Sequence, residues 1–476
     1  MTLSPEEFHP LIELMAEKAC EGLLCLETDG RILYANEAAA RTLAQPATGL
    51  VSRTIFEIAP EMSQSLWKEL WKEIRERAVF AFEFSLSASA ERVVPVEVTV
   101  HYLKPAAREL ACLMFRDVEE RKRLKLLQEE FVSMASHELR TPMTVIREGV
   151  SQVLEGLRGD ISETQRRALT IALNGIDRLG RIINELLDIS KIESGKVSLK
   201  REWTDLTVLS REVAAGFQSQ ADDRGLSLRV TAPARAVTVY ADKDRLVQVL
   251  TNLIGNAFKF TAKGRIDLEV SARDGEAECA VTDTGIGLVP EGLDRIFNKF
   301  EQLGQASVTG EKGTGLGLSI SRGIIELHKG RIWVESAGRG CGTRVAFAIP
   351  SQTGREIFIE QVTPVLHLVA RRGGSLSVVI FRLSPGASSS LKDLEILVRA
   401  QIARRVDILI PDGNVLYLAL EGTVRREAMR LVGQITAALH EATGGKGDLS
   451  FSVASFPEEE ANEDTFLSLA IARSPA

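Results

Sequence analysis

Apolar positions recur along this chain with two spacings, and each marks a different kind of element. Residues 22–36, GLLCLETDGRILYAN, alternate with period two on either side of Asp29-Gly30, which predicts a hairpin. VVPVEVTVHYL (93–103) and LACLMFRDV (110–118) predict two further strands, so residues 1–118 read as a small α+β unit. From 119 the step becomes helical: Leu127, Phe131, Met134 and Glu138 follow i+4, i+3 spacing. ALTIALNGIDRLGRIINELLDISKI (168–192) continues it after a GDISE break that offers Asp160 or Ser162 as a cap. Two helices joined by a short turn cannot cover each other's apolar stripes, so residues 119–196 predict an antiparallel hairpin completed to a four-helix bundle in a homodimer.

Residues 197–354 alternate strand patterns (VTVYAD, RIDLEVSARD, AECAVTD, GRIWVES, TRVAFAIP) with helical ones, as in an α/β sandwich. Residues 355–476 follow the linker SQTGRE and read helix, strand, helix, hairpin, helix, strand, helix. The fold class is multidomain α+β.

A net charge of -7 argues against a nucleic-acid partner, and the basic knot RKRLK (121–125) reads as a solvated helix face. Five scattered cysteines lack metal-ligand spacing and fit free thiols, with Cys20 and Cys25 expected in the core. No apolar run approaches the roughly 18 residues of a membrane span, and MTLSPEEFHP has neither the basic start nor the apolar core of a signal peptide. These features predict a cytoplasmic chain without a membrane span.

The third segment carries candidate chemistry. In DRLVQVLTNLIGNAFKFT, Asn252 and Asn256 share one helix face, with Lys259 three residues on. Asparagine is unfavourable in mid-helix, so the pair asks for a reason: an amide oxygen suits Mg²⁺ and a lysine suits phosphate, although surface asparagines are the plain alternative. VTDTGIGL puts Asp283 at a strand end before Gly285 and Gly287, where a carboxylate can accept from an exocyclic amine. GEKGTGLGLSISRGI sets Gly313, Gly315 and Gly317 before a helix whose free amides can meet phosphate.

Together with RIFNKFEQ and GRGCGTRVAFAIP, this set resembles the ATP-binding domain of histidine kinases, within the wider gyrase, heat-shock chaperone and mismatch-repair ATPase superfamily. The resemblance implies ATP and Mg²⁺ as cofactors, with Asn256 on the metal and Asn252 and Lys259 on the triphosphate. It further implies Asp283 on the adenine, Gly285, Gly287 and Thr343 around it, and Gly313 to Gly317 in a closing lid. Val345 stands where that family often has phenylalanine, a change expected to alter packing only.

FVSMASHELRTPMTV (131–145) decides between reactions. At 100° per residue, His137 lies about 80° off the centre of the apolar stripe, at the rim of the bundle. Pro142 cannot donate to the Glu138 carbonyl, which predicts a bend. SHELRTPMTVI resembles the phosphoacceptor motif of the histidine-kinase dimerisation domain. It implies His137 as nucleophile, Glu138 as the group that orients or accepts its proton, and Thr141 as a residue serving dephosphorylation of the partner, unless Thr141 is a plain surface residue. The implied partner is a separate response regulator receiver domain.

Residues 1–118 resemble a PAS sensor domain through the hairpin leading into NEAAARTL and the exit at RDVEERKRL. Residues 355–476 resemble a GGDEF nucleotidyl cyclase domain in element order, or an unrelated α/β module of the same order. PDGNV occupies the signature hairpin, and Arg382 and Ser384 stand where that family has metal-binding aspartates, so a degenerate, non-catalytic domain is expected.

Overall fold

In the computed structural model, residues 11, 14–51, 53–88, 92–105, 108–301, 313–384, 390–402, 407–442, 449–460 and 462–473 are described. Two compact units result, Met1–Ser194 and Gly195–Ala476.

The expected hairpin of the first unit is β1 (Gly22–Glu27) and β2 (Ile32–Ala35), turned at Gly30 with φ 85°. β3 (Val79–Ser87), β4 (Val93–Leu103) and β5 (Leu110–Asp117) complete an antiparallel sheet of order β2-β1-β5-β4-β3. The sequence reading missed β3 and helix α1 (Gln64–Arg77). That helix starts where Ser63 accepts the Leu66 N–H, and Trp67, Trp71 and Ile74 recur at helical spacing on its buried face. Trp67 donates its indole N–H to the Thr28 carbonyl at 3.0 Å, tying α1 to the hairpin. Asn36, fully buried, caps the following helix and accepts the Leu23 N–H, so the hairpin exit is fixed by one satisfied amide.

Only Val118 separates β5 from α2 (Glu119–Leu154). Within the basic knot, Lys122 pairs with Glu83 at 2.6 Å, and Arg121 lies 3.5 Å from Glu83 and Glu97. These are exposed pairs of small individual energy. α2 runs without interruption through Pro142, and α3 (Glu163–Glu193) begins in a capping box of Ser162 with Gln165, which selects Ser162 over Asp160. Ile183, Leu187 and Ile189 are buried on α3, whereas Leu127, Phe131 and Met134 on α2 stay 51–65% exposed.

In the second unit, β6 (Glu202–Asp205) pairs with β8 (Thr238–Ala241), and α4 (Leu206–Gly216) follows β6. The main sheet has the order β11-β12-β10-β9-β7, from β7 (Ser227–Thr231), β9 (Arg265–Arg273), β10 (Glu276–Asp283), β11 (Arg331–Glu335) and β12 (Thr343–Pro350). β7 joins β9 in parallel; the other pairings are antiparallel. The short β6 and β7 were not predicted. Helix α5 (Lys243–Phe260) buries Leu246, Val249, Leu250, Leu253, Ile254, Ala257 and Phe258, and α6 (Gly317–Leu327) packs beside it.

The rest of this unit begins with α7 (Gly354–Arg372). It continues as β13 (Leu376–Leu383), α8 (Leu391–Gln401), β14 (Ile408–Asp412), β15 (Val415–Glu421), α9 (Arg425–Ala442), β16 (Leu449–Phe456) and α10 (Glu463–Ala472). The sheet order β14-β15-β13-β16 with antiparallel pairs is the βαββαβ arrangement of ferredoxin-like folds. Its core extends onto Trp203 and Tyr240, and the Trp203 indole donates to the Pro411 carbonyl at 2.8 Å.

Candidate nucleotide site and phosphoacceptor helix

α5 begins at Asp242, buried and with both carboxylate oxygens engaged: one accepts the Arg245 N–H at 3.1 Å and the other the Lys200 N–H at 2.8 Å. Its next turns bury an apolar stripe against the sheet, which leaves Asn252, Asn256 and Lys259 half-buried along the other side. Asn252 donates its amide to the Ser321 hydroxyl at 2.9 Å. Its Oδ1 lies only 2.3 Å from where a Cβ on Gly317 would sit, so any side chain at the first residue of α6 would displace the Asn252 amide. Among the described residues, no hydrogen bond engages the Asn256 side chain, one turn further on.

Lys259 sits 4.9 Å over the Phe260 ring, and its Nζ lies 2.6 Å from the position a Gly313 Cβ would take. Gly315 accepts the N–H of Phe300, a residue 65% exposed and held at φ 59°, so this phenylalanine adopts a left-handed backbone to meet the glycine segment. The preceding residues of the motif, Gly310, Glu311 and Lys312, lie outside the described residues, as does Gln302 of RIFNKFEQ.

Asp283 ends β10, 8% exposed. Burial pushes its carboxyl above the ordinary range, while N–H donation from Gly285 and Thr343 pulls the other way. The Gly285 N–H···Oδ1 distance is 2.7 Å. Gly287 has φ 66°, and a Cβ there would come within 2.0 Å of the Gly338 carbonyl, so the loop after Asp283 can only close through glycine. Ile286 N–H reaches the Phe260 carbonyl at 3.3 Å, joining this loop to the end of α5. An open cleft of about 290 Å³ is lined by Asp283, Ser336, Cys341, Gly342 and Thr343 among others.

The structure therefore brings Asn252 to Gly317, Lys259 to Gly313, and Asp283 to Gly285 and Thr343. Sequence reasoning missed Ser321, Asp242 and His328. Ser321 had a signal, since it lies four residues after Gly317 on the same helix face. His328 had none, because its partner is 86 positions away.

For Mg²⁺, the fit rests on donor chemistry. The described residues hold no cluster of three His, Cys, Asp or Glu side chains, but the half-buried amide oxygen of Asn256 is a hard neutral ligand that leaves room for water and phosphate oxygens.

In the first unit, His137, Glu138 and Thr141 are all exposed on α2, and among the described residues neither His137 nor Glu138 has a side-chain hydrogen bond. The turn containing Pro142 is flanked by a Thr144 hydroxyl donating to the Arg140 carbonyl at 2.9 Å. The expectation that Cys20 and Cys25 are core thiols is corrected: Cys20 is exposed, and Cys25 lies on the outer face of the sheet because its strand neighbours Leu24 and Leu26 take the inner one.

Three family models match the chain in succession: "PAS fold" over 17–123, "His Kinase A (phospho-acceptor) domain" over 127–195, and "Histidine kinase-, DNA gyrase B-, and HSP90-like ATPase" over 241–353. "Sensor protein SrrB" of Staphylococcus aureus strain MRSA252 is 34% identical over 237 residues, 49% of this chain and 40% of that protein. The chain thus spans less than half the length of the curated relatives it matches. Among solved structures, full-length ShkA in complex with AMPPNP is 30% identical, with 46% of this chain and 45% of that one covered, at a TM-score of 0.41. Histidine kinase ThkA, in complex with response regulator protein TrrA, is 25% identical over 70% of this chain and 96% of its own, at 0.35. No described helix is long and apolar enough to cross a membrane. In order along the chain stand a PAS fold, a phospho-acceptor helix pair and a histidine kinase-type ATPase domain, the domain set of a sensor histidine kinase.

Proposed function

We propose that this chain is an ATP-dependent protein-histidine kinase that phosphorylates His137 and passes the phosphoryl group to an aspartate on the receiver domain of a separate response regulator, and that it can also dephosphorylate that partner. The observation that carries the reading is an exposed, unengaged imidazole in the phospho-acceptor match, followed by an ATPase-family domain with its asparagine helix and glycine segments in order. The parts are a sensor domain (1–118), the dimerisation and phosphotransfer helices (119–196), the ATP-binding domain (197–354) and a C-terminal domain (355–476).

Adenine's amine is read by Asp283 within the Gly285, Gly287 and Thr343 surround, and the triphosphate meets Asn252, Lys259 and the amides of Gly313, Gly315 and Gly317. Asn256 would hold Mg²⁺, which when bound would neutralise charge on the phosphates. A neutral ring nitrogen of His137 attacks the γ-phosphorus, the N–P bond forms as the bond to the β-phosphate oxygen breaks, and ADP leaves. Glu138 accepts or orients the proton on the other nitrogen, a role typically worth about 10² to 10⁴-fold. Thr141, one turn on, orients water for the reverse reaction.

The uncovered apolar side chains of α2 and α3, including Phe131, Val145 and Ile171 at 65–72% exposed, support a homodimer with a shared four-helix core. For the C-terminal domain we infer a degenerate GGDEF-like, non-catalytic role. Asp412 in the hairpin accepts the Arg355 N–H at 3.3 Å at the start of α7, and the Asn414 amide donates to the Leu383 carbonyl at 2.9 Å, so the hairpin is engaged in holding the domain together.

The test is incubation of the purified chain with labelled ATP and Mg²⁺. Label should be acid-labile, base-stable and absent from His137→Gln; acid-stable label, or label retained in that variant, overturns the reading.

A further inference from the structure

Cys25 and Cys112 are direct partners across the β1–β5 ladder. Residues opposed in an antiparallel pair have Cα atoms about 4.5 or 5.5 Å apart, depending on the type of pair, and both values fall inside the roughly 4.4–6.8 Å that a disulfide requires. Their side chains share one face of the sheet, since Leu24, Leu26, Ala111 and Leu113 point into the core on the other. Neither thiol is disulfide-bonded, both are half-buried, and the two sulfurs are within hydrogen-bond reach of each other. Among the described residues no third ligating side chain joins them.

We propose that Cys25 and Cys112 form an oxidisable dithiol, a modification site at which a hydroperoxide closes a reversible disulfide between neighbouring strands. The Cys112 S–H donates toward Cys25 and holds the Cys25 thiol below its ordinary value, while that same contact, and then burial, push Cys112 up. The register pair supplies one attacking and one resolving sulfur, and the direction of that contact assigns the attack to Cys25 and the resolution to Cys112. Its sulfur takes one oxygen of the hydroperoxide, the O–O bond breaks, and an alcohol, or water from hydrogen peroxide, leaves. The Cys112 sulfur then attacks the Cys25 sulfenic acid, the S–S bond forms, and water leaves with the Cys112 proton. Two thiols and one hydroperoxide give one disulfide, one alcohol and one water.

The remaining cysteines serve as internal controls. Cys279 is fully buried and its thiol is pushed up to about 12, which makes it unreactive. Cys20 and Cys341 are exposed single thiols.

The experiment treats the folded chain with one equivalent of hydrogen peroxide, then denatures it, counts free thiols and maps linked peptides without reduction. Titratable thiols should fall from five to three, with a Cys25–Cys112 peptide that dithiothreitol abolishes. In Cys20→Ala/Cys341→Ala the same link should form, and in Cys112→Ser it should not, leaving Cys25 as a trappable sulfenic acid. A wild-type chain that gives no such peptide, that links Cys20 to Cys25 instead, or that joins two chains through either cysteine overturns the proposal.

Discussion

The His328 ring accepts the backbone N–H of Asp242 at Nε2, 2.9 Å away, while its Nδ1–H donates to the Ile324 carbonyl at 2.8 Å. His328 follows the last turn of α6, and Asp242 caps the first turn of α5. At the opposite end, Asn252 on α5 meets Gly317 and Ser321 on α6. The antiparallel pair that carries the nucleotide-facing residues is thus pinned at two points.

Acidification should loosen the first of these pins. Burial holds the His328 pKa below its ordinary value, with Arg201 acting in the same direction, and the Ile324 carbonyl and the Asp242 carboxylate opposing. The folded state therefore binds fewer protons than the unfolded one. The stability it contributes is fully present above the ordinary histidine value of about 6.5 and is lost as pH falls toward the depressed value. The melting temperature of the Gly195–Ala476 unit should drop between pH 7 and pH 5, and His328→Gln should flatten that dependence; an equally steep profile in the variant would remove His328 from the account.

Asp283→Asn should separate fold from ligand. Ionised Asp283 carries a burial cost because its pKa is raised, so replacement by a neutral isostere should leave the melting temperature at pH 7 unchanged or higher. Binding of an ATP analogue should weaken about 10-fold or more, the scale of one charge-assisted hydrogen bond. For the wild type, affinity should decline on acidification at a higher pH than for an ordinary aspartate. Calorimetric titration of both forms measures this, and equal affinity would exclude Asp283 as the adenine reader.

Gly317→Ala places a methyl group 2.3 Å from Asn252 Oδ1. The amide must swing away, which breaks its bond to Ser321 and should cost about 1–3 kcal/mol by overpacking. Thermal melts should show the loss, with weaker nucleotide binding beside it. An unchanged melt would mean that the Asn252 contact is soft.

Trp203→Ala removes both a ring packed on the C-terminal core and the indole bond to Pro411. A loss of about 3–5 kcal/mol is expected for deleting such a side chain, less where it is partly exposed. Calorimetry of the Gly195–Ala476 unit should resolve two unfolding transitions where a single coupled one is expected for the unsubstituted unit, because the interface no longer couples the ATP-binding and C-terminal parts. A single transition at the wild-type temperature would show that the coupling lies elsewhere, as through Glu360, which bridges Lys329 at 2.7 Å and Arg201 at 3.6 Å.

Much of this molecule could be read without coordinates, and the reason is locality. Asn252, Asn256 and Lys259 share a face because helical periodicity alone puts them there. The glycines after Asp283 and before α6 betray backbone that a Cβ would obstruct, and Asp29-Gly30 and Ser162 set their own turn and cap. Other features were decided by packing between distant segments. The parallel docking of β7 on β9, the closure of His328 onto Asp242, the seating of Trp203 on a core some 200 residues later, and the pairing of Cys25 with Cys112 have no local signature. Each depends on which surfaces the folded chain brings together to remove apolar area from water, and a one-dimensional pattern records only that such surfaces exist.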